Sequence, residues 1–269
     1  RPQVIGQTLK QKYINEVPLI ERDTKCTFSN ISHCDIREGF ANCASTDLTS
    51  VVQSLPNCIT YLNFQAQGKF QTDYAHFGHL VNLTSIAFVP YNSSVYEQIR
   101  VSIGDLKGIS HLHTLMIHLQ LSSSGLWYLF GSMLQSLSYV HTLDLTGTRW
   151  LGLGSFRYLR GHDLKKLILR NCQQVLFKGY HTAPGYTRKL NLTQFLCPLG
   201  NTLEIADLSY NDIIVVVIGK SDIFCMMHLE VLDLSNNLIA SIDNGESDHL
   251  TALHFVGFIF CVLCLRLIL

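Results

Sequence analysis

Apolar residues recur along this chain in a fixed pattern. An apolar start is followed by apolar residues three and five positions on, and often by asparagine or cysteine at the ninth position. Ile59, Leu83, Leu112, Val140, Leu164, Leu203 and Leu229 begin such runs, at steps of 24, 29, 28, 24, 39 and 26 residues, and Leu253 begins another after 24 more. The clearest copies are Leu203 to Ile213 and Leu229 to Ile239, which share an apolar-Asp-Leu-Ser centre at Ala206–Ser209 and Leu232–Ser235. Within each run the fourth and sixth residues alternate as on a strand and point to one side, while the residues between them point to the other. One short strand buries too little to hold itself. Neighbouring copies must therefore stack as a parallel sheet with continuous apolar rows, each buried leucine contributing roughly 1.5–3 kcal/mol.

This period and spacing predict an α/β leucine-rich-repeat solenoid, a horseshoe with a parallel β-sheet on its concave face. Phe77 with Leu80, Phe156 with Leu159, and Phe224 before Leu229 would fill the opposite wall on the return strokes. A buried asparagine at the ninth position satisfies backbone groups of adjacent turns. Asn211 and Asn237 keep it, whereas Gln67, Tyr91, Gln120, Thr148 and Cys172 replace it, so the late coils should be the more regular. The 39-residue step contains Pro184 and Gly185 and reads as an inserted loop rather than a missed strand.

With 269 residues, 47% of them hydrophobic and 15% charged, the chain can bury a long core. Its 20 basic and 20 acidic residues cancel, so no global charge points to nucleic acid. Four of the nine cysteines, Cys26, Cys34, Cys43 and Cys58, crowd ahead of the first repeat. Such a cluster suits a disulfide-closed cap over the exposed core end in an oxidising compartment. Cys34 with Cys43 is the first pairing and Cys26 with Cys58 the second; a metal site is the alternative, but no zinc-like spacing supports it. Cys172 falls at a ninth position as a buried thiol, and Cys197 and Cys225 lie on return strokes, either packed or bridged. The expected division is an extension (1–25), a cap (26–58), about seven repeats (59–252) and an apolar tail (253–269) that is a shortened last repeat or an aberrant end.

Sequons at Asn30, Asn82, Asn92 and Asn191 are glycan acceptors on a secretory route. With the cap they favour an extracellular or endosomal-lumen setting. From Phe255 the tail offers about 15 apolar residues including Arg266, short of the ~20 needed to span a bilayer.

The segment Cys34 to Cys43, continuing through Leu48, Val51, Leu55-Pro56-Asn57-Cys58 and Leu62 to Phe64, resembles the N-terminal cap and first repeat of Toll-like receptors. Leu192 to Leu208 and Leu229 to Ile239 also resemble ectodomains of that family. The resemblance implies a single-pass receptor of innate immunity that binds microbial patterns, nucleic acid among them, and forms a homodimer on its ligand. It also implies a membrane anchor and a cytoplasmic signalling domain, neither of which is read in these residues. The double-stranded-RNA-sensing branch grips phosphates with histidines of its cap and first repeat. The matching positions here are Ser45 and Ala66, a departure that weakens the case for that ligand.

The outward strand positions form the expected binding surface: Tyr61, Asn63, Gln65, Thr114, Met116, His118, Asp144, Lys166, Arg170, Asp207, Tyr210, Asp233 and Asn236. His111, His113 and His118 cluster on the third repeat, where protonation would raise the potential on acidification. No catalytic, metal or cofactor site is expected: metalloprotease, nucleophile-elbow and phosphate-loop motifs are missing, and Gly152-Leu-Gly154 lacks the third glycine of a dinucleotide site. The rival reading is a soluble or matrix-bound repeat protein that adheres or acts as a decoy.

Overall fold

The computed structural model describes residues 26, 31–67, 77–90, 109, 111–117, 139–147, 159, 161–172, 189–199, 202–217, 228–243, 249–250 and 259–261. In chain order its strands are β1 (Cys34–Arg37), β2 (Phe40–Ser45), β3 (Tyr61–Ala66), β4 (Ser85–Pro90), β5 (Thr114–Ile117), β6 (Thr142–Asp144) and β7 (Lys166–Ile168). They continue with β8 (Lys189–Asn191), β9 (Ile205–Asp207), β10 (Val215–Val217), β11 (Val231–Asp233), β12 (Ser241–Asp243), β13 (His249–Leu250) and β14 (Ile259–Cys261). Two short helices accompany them, α1 (Leu48–Ser54) and α2 (Leu192–Leu196).

The cap is a hairpin. Strands β1 and β2 pair antiparallel with Cys34 opposite Cys43, and Glu38 and Gly39 turn the corner at φ 49° and 83°. A two-residue turn with both φ values positive matches the twist of the flanking strands. Gly39 is required a second time, because its carbonyl accepts from the Thr60 and Tyr61 amides, and a Cβ there would lie 3.1 Å from Thr60 Oγ1. Disulfides join Cys34 to Cys43 and Cys26 to Cys58, with Cα separations of 4.1 and 5.9 Å. All four cap sulfurs are thereby used. Asp47 starts α1 by accepting from the Ser50 amide at 3.1 Å, and the Ser50 hydroxyl, with that amide, holds its carboxyl below the usual range.

From β2 onward the long sheet runs parallel in the order β2-β3-β4-β5-β6-β7-β9-β11, and each strand from β3 begins two residues after a repeat start. One inward row joins Ala41, Leu62, Ile86, Leu115, Leu143, Leu167, Ala206 and Leu232, all buried. A second row begins Cys43, Phe64, Phe88 and Ile117, with Phe64 meeting Phe88 edge-on at 6.3 Å. Phe77, Leu80, Leu159, Phe195 and Leu196 close the core from behind.

Strand β7 lies directly beside β9, so the 39-residue step adds no strand to the long sheet, but it is not only the inserted loop expected, since it carries β8 and α2. On the far side of the core a second sheet has the order β13-β12-β10-β8, with β8, β10 and β12 parallel. The expected α/β balance is therefore corrected. Among the described residues helix is sparse, and the backs of the late coils are strand, as the β-branched run Ile213 to Val217 favours. At the other end β14 pairs antiparallel with β11, Asp233 opposite Ile259, rather than continuing the parallel register that an eighth coil from Leu253 would give.

The ninth positions explain the regularity of the late coils. Asn211 is fully buried; its Nδ2 donates to the carbonyls of Leu169, Leu208 and Ser209 at 2.7, 2.8 and 3.1 Å, and its Oδ1 accepts from the Cys172 amide at 2.6 Å. Asn237 repeats the device one coil on, accepting from the Asn211 and Ile213 amides at 2.8 and 3.1 Å. Cys172 holds the same place as a buried free thiol, donating to the Leu145 carbonyl at 3.0 Å. One position earlier the chain leaves β6, β7, β9 and β11 in the left-handed region, at Gly147, Asn171, Tyr210 and Asn236. Among the described residues no helix is long and apolar enough to cross a membrane.

Candidate binding surface

The alternation that sends leucines inward sends two rows outward. The first joins Phe40, Tyr61, Ser85, Thr114, Thr142, Lys166, Ile205 and Val231; the second joins Asn42, Asn63, Ala87, Met116, Asp144, Ile168, Asp207 and Asp233. Of the residues expected on this face, Tyr61, Asn63 and Gln65 gather at the cap end, and Thr114 and Met116 lie in the middle. Asp144, Lys166, Arg170, Asp207, Tyr210, Asp233 and Asn236 lie toward β11. His118 falls outside the described residues, as do Asn30, Asn92 and Cys225.

The three aspartates do not stand free. Asp144, Asp207 and Asp233 are buried, and each accepts from the amide two residues on, at Thr146, Ser209 and Ser235, at 2.9 to 3.0 Å. Each is an Asx turn that closes its own strand. Asp207 also takes Arg170 Nη2 at 2.9 Å, while Arg170 Nε donates to Ser209 Oγ at 3.3 Å. Tyr210 is about half exposed, and its ring lies 6.0 Å from the Arg170 guanidinium carbon. The charged end therefore offers an oriented arginine beside an exposed aromatic ring, a pair of the kind that anchors protein interfaces.

At the cap end, Phe40 and Asn42 belong to the same surface and were missed by a reading that began the solenoid at Ile59. Their signal was the alternation of Phe40, Asn42 and Ala44 with Ala41 and Cys43. Ser45 and Ala66 are register partners on the same inward side as Cys43 and Phe64, and Ala66 is buried. Burial pushes the half-buried Tyr61 phenol upward.

The edge just before each strand is separately polar. Thr84, His113, His141, Lys165, Glu204 and Glu230 each donate a backbone amide to the carbonyl of the preceding member, from Thr60 onward. His113 stacks on His141 at 5.0 Å, His141 pairs with Asp163 at 3.2 Å, and Lys165 pairs with Glu204 at 3.4 Å. Partial burial, then His141 and His111, hold His113 below the ordinary imidazole range. Its folded proton affinity is thus lower than its unfolded one, so the unfolded chain binds more protons as pH falls through about 6.5 toward the folded value. Stability should drop across that window and no further below it. His113→Asn should reduce the drop; urea midpoints at about pH 7.5 and 5.5 that change equally in both proteins would contradict it.

Asn82 is partly exposed and its Nδ2, the atom a glycan would occupy, donates to the Asn57 carbonyl at 2.9 Å. Asn191 ends β8. Cys197 is disulfide-bonded. Among the described residues no group of three histidine, cysteine or acidic side chains could hold a metal ion.

No protein-family model matches this sequence, and no curated protein does. In three dimensions the chain is similar to one in the crystal structure of the mouse RP105/MD-1 complex, with 20% identity, a TM-score of 0.52, and coverage of 80% of this chain and 32% of that one. The likeness is one of fold. Together with the repeat register and the N-terminal disulfides it identifies a parallel-sheet solenoid of the leucine-rich-repeat kind. The match takes in less than half of the neighbour's length.

Proposed function

We propose that this chain is part of the ligand-binding ectodomain of a Toll-like pattern-recognition receptor. One observation carries the reading: eight parallel strands with a disulfide-closed cap at one end leave an outer face whose two in-register rows point away from the leucine core. On this reading the face takes a microbial ligand, two copies join on it, and the domain lies on the extracellular or endosomal-lumen side of a single-pass receptor. Its glycans would sit at Asn30, Asn82, Asn92 and Asn191, and its overall form would be a horseshoe. Its extension would run over 1–25, its cap over 26–58, its repeats over 59–252 and its tail over 253–269. A protein co-ligand is included, since the similar structure is itself a complex of RP105 with MD-1.

The test is the secreted, oxidised chain offered to double-stranded RNA, flagellin, a lipopeptide and lipopolysaccharide, with collagen and fibronectin beside them. One microbial probe should be retained and should raise the mass to that of a dimer by light scattering. Alanine at Tyr61, Lys166, Arg170 or Tyr210 should weaken it about ten-fold. Retention of the matrix proteins alone would instead make this an adhesion or decoy protein.

A further inference from the structure

We propose that the cap end of the outer face is a subsite for an uncharged saccharide, built from Phe40 and Tyr61 as a platform and from Asn42, Asn63 and Gln65 as its polar grip. The inference rests on reading the outer face as the binding surface and names the ligand class of one end of it.

Three features of the geometry point to a neutral polyol. The first is the platform. Phe40 is 47% exposed, and its ring lies 5.2 Å from that of its register partner Tyr61 at a 37° tilt. An aromatic face left open to water on a sheet suits the apolar C–H face of a pyranose ring. The second is the amide chain. Asn42 Oδ1 accepts from Asn63 Nδ2 at 2.9 Å and from Gln65 Nε2 at 3.0 Å. These two bonds orient all three amides, so that Asn42 presents N–H donors while Asn63 and Gln65 present carbonyl acceptors. A sugar hydroxyl both donates and accepts, and neighbouring hydroxyls can span such a donor and acceptor array.

The third feature is charge. Asp35 and Arg37 on β1 lie in register with Asn42 and Phe40, but they pair with each other, Nη2 to Oδ2 at 3.0 Å and Nε to Oδ1 at 3.1 Å. The two charges that β1 sets beside the platform thus balance each other. On the other side β4 continues the rows with Ser85, which is partly exposed, and Ala87, which is buried, and neither carries a charge. Among the described residues, the cation nearest these five is Arg37, already paired with Asp35, while Lys166 and Arg170 lie toward the far end of the face.

The experiment offers the full, oxidised chain to immobilised mannan, laminarin, dextran and chitohexaose, with heparin as the anionic comparison. At least one neutral glycan should be retained, with affinity unchanged from about 0.05 to 0.5 M salt. Phe40→Ala and Asn42→Ala should each weaken it about ten-fold or more, while Tyr139→Ala, at an exposed aromatic residue in neither outward row, leaves it unchanged. Unaltered thermal midpoints in Phe40→Ala and Asn42→Ala would exclude unfolding as the cause. Retention of none of the four, preference for heparin, or wild-type affinity in both cap-end variants overturns the subsite. Microbial-probe binding that depends on Phe40 with no glycan retained also overturns it, yet leaves the receptor reading standing.

Discussion

Asn211→Ala is expected to lower the unfolding free energy by about 3 kcal/mol or more, a larger loss than any other polar substitution in the repeats. The residue is fully buried and makes four bonds to backbone groups of its own coil and the one before. Not all are lost outright. The Ser209 carbonyl keeps the Asn171 amide, and the Leu208 carbonyl keeps Asn237 Nδ2. The Leu169 carbonyl loses a donor at 2.7 Å and the Cys172 amide loses an acceptor at 2.6 Å, both inside the coil. An unsatisfied buried group costs roughly 1–3 kcal/mol, which sets the estimate for these two.

Two further substitutions separate this account from a general packing defect. Asn211→Asp keeps the acceptor but places a carboxylate oxygen against the Leu169 carbonyl, so it should be no better than alanine. Asn237→Ala should cost less, because Asn237 is only part-buried and water can take over some of its bonds. Urea titrations of the three variants check the order. Equal losses at 211 and 237 would mean that the ladder is not what ties the coils together.

This ladder was legible in the sequence because a ninth-position asparagine has one job in a coil that lacks helix or hairpin bonding at that point. The strands were legible for a similar reason. Seven starts place seven strands, since the apolar three-and-five spacing permits only one face to turn inward. The second sheet was not. A return stroke must merely reach the next start, so its backbone conformation follows local preference, and the valines of β10 choose strand where the fold class led one to expect helix. The antiparallel β14 escaped for another reason, because a run as apolar as Phe255 to Leu265 fits a coil in several registers and pattern alone does not select one.

The surface was half legible. Outward positions follow from alternation, but availability does not, and Asp144, Asp207 and Asp233 are outward yet engaged. Their engagement was written in the recurring Asp-Leu-Ser/Thr step, whose second residue on supplies the amide for an Asx turn. The histidine edge shows the limit of proximity in sequence. His113 was grouped with its neighbours His111 and His118, but its stacking partner is His141, a full coil away.

Opening the Cys26–Cys58 disulfide, by replacing both residues with alanine, is expected to cost roughly 3–4 kcal/mol, and opening Cys34–Cys43 about 1 kcal/mol less. The difference comes from the closed loops, which span 32 and 9 residues. The shorter bridge closes only the hairpin between β1 and β2, so it restricts the unfolded chain less. The longer one ties Cys26 to the segment that leads from α1 into the first repeat, over Leu48, Val51, Val52 and Leu55, which are buried beneath the cap. Losing it should free that end of the core to meet water, so the double-alanine variant should show both a lower urea midpoint and concentration-dependent association. Reduction with dithiothreitol should bring the wild-type protein at least as low as a variant lacking both cap bridges, since it also opens the disulfide of Cys197. A wild-type midpoint indifferent to reduction would mean that the parallel stack seals its own first coil, and that the cap serves the outer face at Phe40 and Asn42 rather than the core behind it.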